Sequence, residues 1–581
     1  MRTHFPKIYP YLLIALVIVA IYGQTVGFDY SNHDDIELLQ QKAGYLGNPG
    51  NILRAFTTDV VWGHQDVYYR PLLTLSFMVD SWIGGVRPAA FHLGNVILHL
   101  LAVCLLYAFL RGLGADRLPS LLASLIFSVH PVLVQAVAWI PGRNDSLLTA
   151  LVLASFLCYL EYARQGRARW GLGQAGLFLL ALLTKETAVL LPLLILFHLW
   201  LERRQGDGTS GRRVVMLFVG WAAALAIYLA LRSTALSGGL TQGNLRMNTL
   251  ADNWTGFLSY LGKIFLPVNL SGDPIPADLP PAPGAIGALM LLAVTAALGI
   301  RDRSRFLFGA VWFLSFLAPS FAGNTAYANF AEHRLYLPLA GFALMLLQLN
   351  PSRFERIPAP AVRMTIGFVL VGLASLTLWY AHTFRSGIAH WERTTRVSPH
   401  SYVARTILGR SYANDGRIAE AEREFLAALR LNPRHQTAAN DLCLLYLGRG
   451  EHRKAEELAL ECLGRWPDHA GIRNTLGLTY LGAGRPDLAE RQFMRSIELG
   501  GGAEAADNLG YLYLKQGNLP QAERYLLLAH DAAPGDPTNL YHLAYLYHQL
   551  GDSHRAREYY RAAVRNGLKE DPRVLEMLEG R

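Results

Sequence analysis

Apolar runs long enough to cross about 30 Å of hydrocarbon recur through the first two thirds of this chain. Lipid offers no partner to a free peptide N–H or C=O, so a run that crosses must satisfy its own backbone, as a helix does. Eleven such runs can be traced, near 9–26, 92–110, 119–137, 146–162, 171–184, 187–201, 214–231, 284–300, 306–322, 335–349 and 364–383. The expected fold class is mainly α, with a polytopic membrane body of about eleven spans. The first run lacks a small-x-small exit, which favours a retained span over a cleaved signal peptide.

Composition shows where that body ends. The chain is 52% hydrophobic and 17% charged, against about 25% charged for soluble domains. This excludes a disordered chain and argues against one soluble globule. The deficit is confined to 1–396, which holds 30 basic and 20 acidic residues, whereas 397–581 holds 23 and 24 and has a soluble composition. The expected division is a membrane body over 1–396 and a soluble domain over 397–581. Excess positive charge lies in the membrane half, so nucleic acid is not an expected partner and the lipid bilayer is. Four cysteines are too few for a disulfide scaffold, and none has zinc-ligand spacing.

Basic residues in short loops set the expected orientation. Arg2 and Lys7 precede the first run, Arg111 and Arg117 follow the second, and Arg164, Arg167 and Arg169 follow the fourth. Arg203, Arg204, Arg212 and Arg213 follow the sixth, Arg301, Arg303 and Arg305 lie between the eighth and ninth, and Arg353, Arg356 and Arg363 precede the last. All share one side if the N-terminus is cytoplasmic, which puts 397–581 outside the cytoplasm. The outer side then receives a first loop over 27–90 and a second over 232–283. Within the second, 250–270 reads as an interfacial or re-entrant helix, with Trp254, Tyr260 and Lys263 suited to the headgroup region.

From 402 onward the sequence has tetratricopeptide (TPR) character. Five units start at 402, 436, 470, 503 and 537. Position 11 is Tyr412, Tyr446, Tyr480, Tyr513 and Tyr547, and position 20 is Ala421, Ala455, Ala489, Ala522 and Ala556. The expectation is an α-solenoid of five repeats, whose groove positions a peptide or partner helix and carries no chemistry. Cys443 and Cys462 fall at small-residue positions and are expected to pack between helices. A disulfide between them is not demanded by spacing.

Charged residues lodged at span ends are costly to bury and so are functional candidates. Asp34 and Asp35 open the first outer loop, where adjacent carboxylates can act as general base, metal ligand or orienting pair. A lone Asp-Asp is otherwise a solvated turn, and its place directly after the first span is what raises it. Arg70, before Pro71, can hold a phosphate in bidentate fashion. His92, Asn95 and His99 share one helix face, and His130 lies near the outer end of the third run. These polar groups read as helix-to-helix hydrogen bonds before they read as a metal site. Arg143-Asn144-Asp145, Lys185-Glu186 and Glu332-His333-Arg334 each pair a cation with an acid on the same side as Arg70, as a lipid phosphate would need.

The segments FDYSNHDD, YYRPLLTLSFMVD, FHLGNVILHLLAVCLLY, LIFSVHPVLVQAVAWIPGRNDSLL, TKETAVLLPLLILF, LGKIFLPVNLSGD and EHRLYLPLAGF, in this order and before a TPR array, resemble GT-C glycosyltransferases. The resemblance is to the transmembrane-and-TPR (TMTC-type) proteins, the protein O-mannosyltransferase-like group and their bacterial relatives. It implies an inverting enzyme that moves a sugar, with mannose expected, from a polyprenyl-phosphate carrier to an acceptor hydroxyl. It implies a bacterial inner-membrane location, with the array periplasmic. It maps the essential acid to Asp34 and Asp35. The leaving phosphate then falls to Arg143, Lys185 and Arg334 with Arg70 nearby, supported by His92, His130, Asp145, Glu186, Glu332 and His333. The sequence departs from the family at Gln135, where relatives carry Glu, and at Asn144, where they carry Lys. No cofactor is required, because a lipid phosphate leaves readily, and a divalent metal, where bound, would sit on Asp34 and Asp35. The expected acceptor is Ser or Thr of an exported protein recruited by the TPR groove. The alternatives are a surface glycan or lipid acceptor, and a non-catalytic membrane-anchored scaffold.

Overall fold

The computed structural model describes residues 8–31, 34–40, 42–58, 68–206, 208–236, 254–321, 330–350 and 358–579. Arg2, Lys7, Arg353 and Arg356, used above for orientation, lie outside them. The chain divides into two compact units, residues 1–42 with 46–400, and residues 43–45 with 401–581.

The first unit is a multi-pass membrane body. Its principal helices are α1 (Tyr9–Tyr22), α2 (Pro71–Gly84), α3 (Pro88–Gly112), α4 (Arg117–Ser128), α5 (Arg143–Gln165), α6 (Ala168–Leu182), α7 (Leu191–Arg204) and α8 (Gly211–Ala235). They continue as α9 (Trp254–Phe265), α10 (Pro281–Leu298), α11 (Arg303–Leu317), α12 (Pro338–Leu346), α13 (Ala359–His382) and α14 (Gly387–Val397). Among the described residues seven helices are long and apolar enough to cross a membrane, or eight if a pair bent by 55°, Arg117–Ser128 with Pro131–Ala138, is one broken span. The other three expected runs fall short, because α6, α7 and α12 have 15, 14 and 9 residues. Pro192 and Pro338, each at a helix start, help set where these apolar stretches break.

Aromatic side chains lock the centre of this body. Phe109, Phe156, Phe308 and Trp312 meet at ring-centroid distances of 5.1–6.0 Å. Glycine lets helices approach where side chains would collide. A Cβ on Gly341 would stand 2.6 Å from the Gly309 carbonyl, so α11 and α12 meet backbone to backbone. A Cβ on Gly262 would stand 2.8 Å from the Gly284 nitrogen. That approach presses α9 onto α10. Trp254 remains 53% exposed, but Tyr260 and Lys263 are buried. Within 27–90, α2 buries Leu73, Phe77 and Met78.

In the second unit ten helices from Tyr402 to Arg565 follow one another as α15–α24, namely Tyr402–Asn414, Ile418–Leu431, Gln436–Gly448, His452–Arg465, Ala470–Gly482, Pro486–Glu498, Gly502–Lys515, Leu519–Ala532, Pro537–Gln549 and Ser553–Arg565. The period has a steric cause. A Cβ on Gly409 would stand 2.6 Å from the Phe425 ring, and one on Gly477 would stand 2.5 Å from Phe493. The small residue at position 8 therefore admits the large one at position 24. Cys443 and Ala459 share that junction in reversed sizes, both buried. Cys443 and Cys462 are free thiols, and burial raises both above the usual thiol range, Cys462 to about 11. Between the two helices of each repeat, Gly416, Gly450, Gly484, Gly517 and Gly551 all adopt φ of 70–80°, a left-handed turn that glycine enters without a Cβ clash.

Candidate functional site

The polar residues at the ends of the body helices form separate groups. The largest joins five distant segments. Lys185 Nζ donates to Asp145 Oδ1 at 2.7 Å. The His333 ring stands 3.9 Å from the other Asp145 oxygen and 5.6 Å, centroid to centroid, from the Trp139 ring. Arg70 pairs with Glu186 at 3.5 Å, and Arg232 reaches the same carboxylate at 3.8 Å. Asn144 joins them: in the amide orientation that satisfies both groups, its nitrogen donates to the Thr184 carbonyl at 2.9 Å and its oxygen accepts from Arg70 at 3.3 Å. Arg70 and Arg334 both act electrostatically on Lys185 and on His333. Burial and the neighbouring arginines hold Lys185 below the usual ammonium range against the pull of Asp145. Burial pushes His333 down to about 3, so its imidazole is neutral and able to donate or accept.

Sequence order explains how these meet. Asn144 and Asp145 lie in the first turn of α5, Lys185 follows α6, and His333 and Arg334 lie in a 3-10 turn before α12. Four cations, Arg70, Lys185, Arg232 and Arg334, thus converge on two carboxylates and a neutral imidazole. An excess of positive charge in a partly dry site suits a phosphate or pyrophosphate.

Arg143 takes another direction. It is 1% exposed and pairs with Asp80 at 2.5 Å. Its Nε donates to Asn95 at 2.7 Å and its Nη2 to the Phe91 carbonyl at 2.6 Å. These contacts fasten α5 to α2 and α3 and leave Arg143 outside the cationic group. The Asn95 amide in turn donates to the Val137 and Trp139 carbonyls at 3.0 Å. Asp80 was not singled out from the sequence, although a carboxylate ending the apolar run of α2 is the signal that finds it. Gly94 belongs to the same junction, since a Cβ there would overlap the Asp80 carboxylate.

The remaining candidates are fastened elsewhere. Glu332 is 0% exposed and accepts from Lys263 at 2.7 Å, from the Ser271 amide at 2.8 Å and from Tyr380 at 2.9 Å. Lys263 is thus a buried ion-pair partner. His130 bonds the Ile264 carbonyl at 3.0 Å, His99 bonds Tyr336 at 2.5 Å, and His92 stands 3.5 Å from the Asp29 carbonyl. Gln135 ties Gly272 to the His333 amide at 3.1 and 3.3 Å.

Asp34 and Asp35 are buried, at 7% and 1% exposure, so they are not a solvated turn. Asp35 accepts from the Ser31 amide at 2.5 Å and the Ser31 hydroxyl at 2.6 Å. The Ser31 carbonyl accepts from the Trp391 indole at 2.9 Å, so α14 supports the turn that carries the acid. Among the described residues no group of three or more His, Cys, Asp or Glu side chains is placed to hold a metal ion.

Residues 74–235 match the sequence family described as dolichyl-phosphate-mannose-protein mannosyltransferase. That stretch contains Asp80, Arg143, Asp145, Lys185 and Glu186, and stops short of Asp34, Asp35, Arg70 and Glu332–Arg334. Residues 373–436, 408–470, 440–504, 474–537 and 508–573 match the tetratricopeptide repeat family. The chain is 42% identical over 94 residues to protein O-mannosyl-transferase TMTC2 of Mus musculus, covering 16% of this chain and 11% of the relative. It is 23% identical over 457 residues to protein O-mannosyl-transferase F38B6.6 of Caenorhabditis elegans, covering 73% of this chain and 63% of that one. This is a TMTC/PMT-like membrane protein with a TPR array. The similarity spans about a tenth of the TMTC2 length and under two thirds of F38B6.6. Among solved structures the TPR protein TTC0263 of Thermus thermophilus is 22% identical, covers 31% of this chain and 98% of that chain, and has a TM-score of 0.28.

Proposed function

We propose that this TMTC/PMT-like protein is an inverting membrane glycosyltransferase. It moves a sugar, mannose by the resemblance, from a polyprenyl-phosphate donor to an acceptor hydroxyl. The observation that carries this reading is the partly buried convergence of Arg70, Lys185, Arg232 and Arg334 around Asp145 and Glu186. Such an array offers charge-assisted hydrogen bonds to the phosphate as it departs, and Asp145 keeps Lys185 in place for that task. Asp34 or Asp35 acts as general base. The acceptor O–H loses its proton to the carboxylate, its oxygen bonds the anomeric carbon, and the bond from that carbon to the phosphate oxygen breaks. Of the two carboxylates, Asp34 is favoured slightly as the one that takes the proton. The C=O of Asn144 replaces a cation in the family pattern and accepts from Arg70, so it trims the positive charge without emptying the site.

The membrane-spanning body would sit in a bacterial inner membrane with its N-terminus in the cytoplasm and its TPR array on the far side. The array would recruit Ser- or Thr-bearing exported proteins. No metal is required for a leaving group that is already a phosphate, and one that bound would use Asp34 and Asp35.

Donor binding tests this. Lys185→Ala and Arg334→Ala should each weaken a polyprenyl-phosphate-mannose donor by about 10-fold or more, since each removes a charge-assisted contact of roughly 1.5–3 kcal/mol. Wild-type donor affinity and turnover in both variants would assign the cluster to structure alone.

A further inference from the structure

A cavity lies at the other end of α5, about 20–30 Å along the helix from Asp145. It has a volume of about 190 Å³ and opens among the ends of α3, α5 and α7 and the start of α11. Its inner wall is the Tyr159–His198 pair, hydrogen-bonded at 2.9 Å and buried. Arg164 and Arg305 line it together with one carboxylate, Glu202, which stands 3.9 Å from His198 Nε2.

Both arginines lie against the backbone at the end of α3. Arg164 donates to the Gly112 carbonyl at 2.8 Å. The Arg305 guanidinium lies against Gly114, whose φ is +84° and where a Cβ would stand 2.8 Å from Nη2. Their carboxylate partners, Glu161 and Asp302, are i,i+3 neighbours at 3.4 Å on partly exposed surface. Such pairs contribute little and exchange readily for a stronger acceptor. The planar forks of two arginines match the oxygens of a phosphate, and the cavity lies at the end of the body where the short basic loops gather.

We infer that this cavity is a phosphate-group site, held by Arg164 and Arg305 over the Tyr159–His198 wall and separate from the Lys185 cluster. A lipid headgroup and soluble phosphate carry the same chemistry, and the test separates them.

The full-length protein would be purified in mild detergent, exposed to phosphatidylglycerol or phosphatidylcholine, and examined by native mass spectrometry. A parallel titration would use inorganic phosphate alone. Retention of phosphatidylglycerol over phosphatidylcholine supports the site with lipid as its source. Saturable inorganic phosphate binding without lipid retention supports it with soluble phosphate as the source. In either case Arg164→Gln/Arg305→Gln should lower occupancy at least 10-fold. Arg305→Lys, which keeps the charge and the fold but loses the fork, should lower it several-fold. Arg204→Gln, which removes a cation stacked on Trp200, should leave occupancy unchanged. Equal occupancy in wild type and the double variant, an Arg204→Gln loss as large as the double variant's, or no binding of either probe would overturn the inference.

Discussion

In the membrane body, Arg143 is 1% exposed and meets Asp80 from a different helix, whereas in the repeat array Arg453 is 92% exposed and meets Glu457 one turn along its own helix. The contrast is general. Lys185–Asp145 and Lys263–Glu332 are buried pairs assembled from distant segments. In the array the recurring bonds obey the repeat, with Tyr446 donating to Glu422, Tyr513 to Glu490 and Tyr547 to Glu523 at 2.6–3.0 Å. Each links position 11 of one repeat to position 21 of the repeat before it. A buried pair is costly to desolvate and severe to break, so it is retained where it organises something. A periodic surface bond adds modestly and can be lost one at a time.

The largest effect should appear where the body is proposed to do chemistry. Asp34→Asn with Asp35→Asn should reduce sugar transfer by about 10²–10⁴, the usual range for loss of a general base, while the protein still inserts. Transfer at the wild-type rate in a reconstituted assay would end the catalytic assignment and leave the scaffold reading ahead.

Next in size is the Arg143–Asp80 junction. Arg143→Ala leaves a buried carboxylate without its cation and should cost about 3–5 kcal/mol. Thermal unfolding of the full chain would show it as a lowered midpoint. An unchanged midpoint would mean that buried pairs in this body are as dispensable as those of the array.

Tyr513→Phe probes the array in the same way. It removes one inter-repeat hydrogen bond to a partly exposed carboxylate, and the expected loss is about 1 kcal/mol. A fragment over 401–581 should be soluble and highly helical by circular dichroism, and urea unfolding of it would measure the change. A loss as large as that at Arg143 would place the array under the same physics as the body. Arg453→Ala, on fully exposed surface, should leave that unfolding curve in place.

A pH profile sharpens the contrast further. Because burial lowers Lys185, it sheds its proton at a lower pH than a free lysine, and donor binding should fall as pH rises through that value. Lys185→Arg, which stays protonated, should move the alkaline fall upward. His333 is neutral above about 3, so His333→Gln should add or remove no inflection between pH 5 and 8. A profile identical in wild type and Lys185→Arg would place the titration elsewhere.

Legibility in the sequence followed the range of each interaction. The repeat period, its Tyr and Ala positions and the small residue at position 8 were readable because each depends on neighbours at a fixed offset. The position-15 glycines carried the same signal and were passed over. Arg70, Asp145, Lys185, Glu186, His333 and Arg334 could be named as candidates because charge at a span end is conspicuous, and the structure gathers them. Their grouping could not be read, nor could the diversion of Arg143 to Asp80 and of Glu332 to Lys263, because the partners lie on other helices at no set spacing.

Hydropathy and the repeat period determined that the chain has a membrane body and a TPR-rich C-terminal third, since the hydrocarbon thickness and the helical repeat each impose a length that the residues must match. Tertiary structure decided which apolar runs are long enough to span. It bent 117–138 into a pair and pressed α9 onto α10 through Gly262. It also decided which charges face one another, because ion pairing depends on a few ångströms of separation that only the packed helices set.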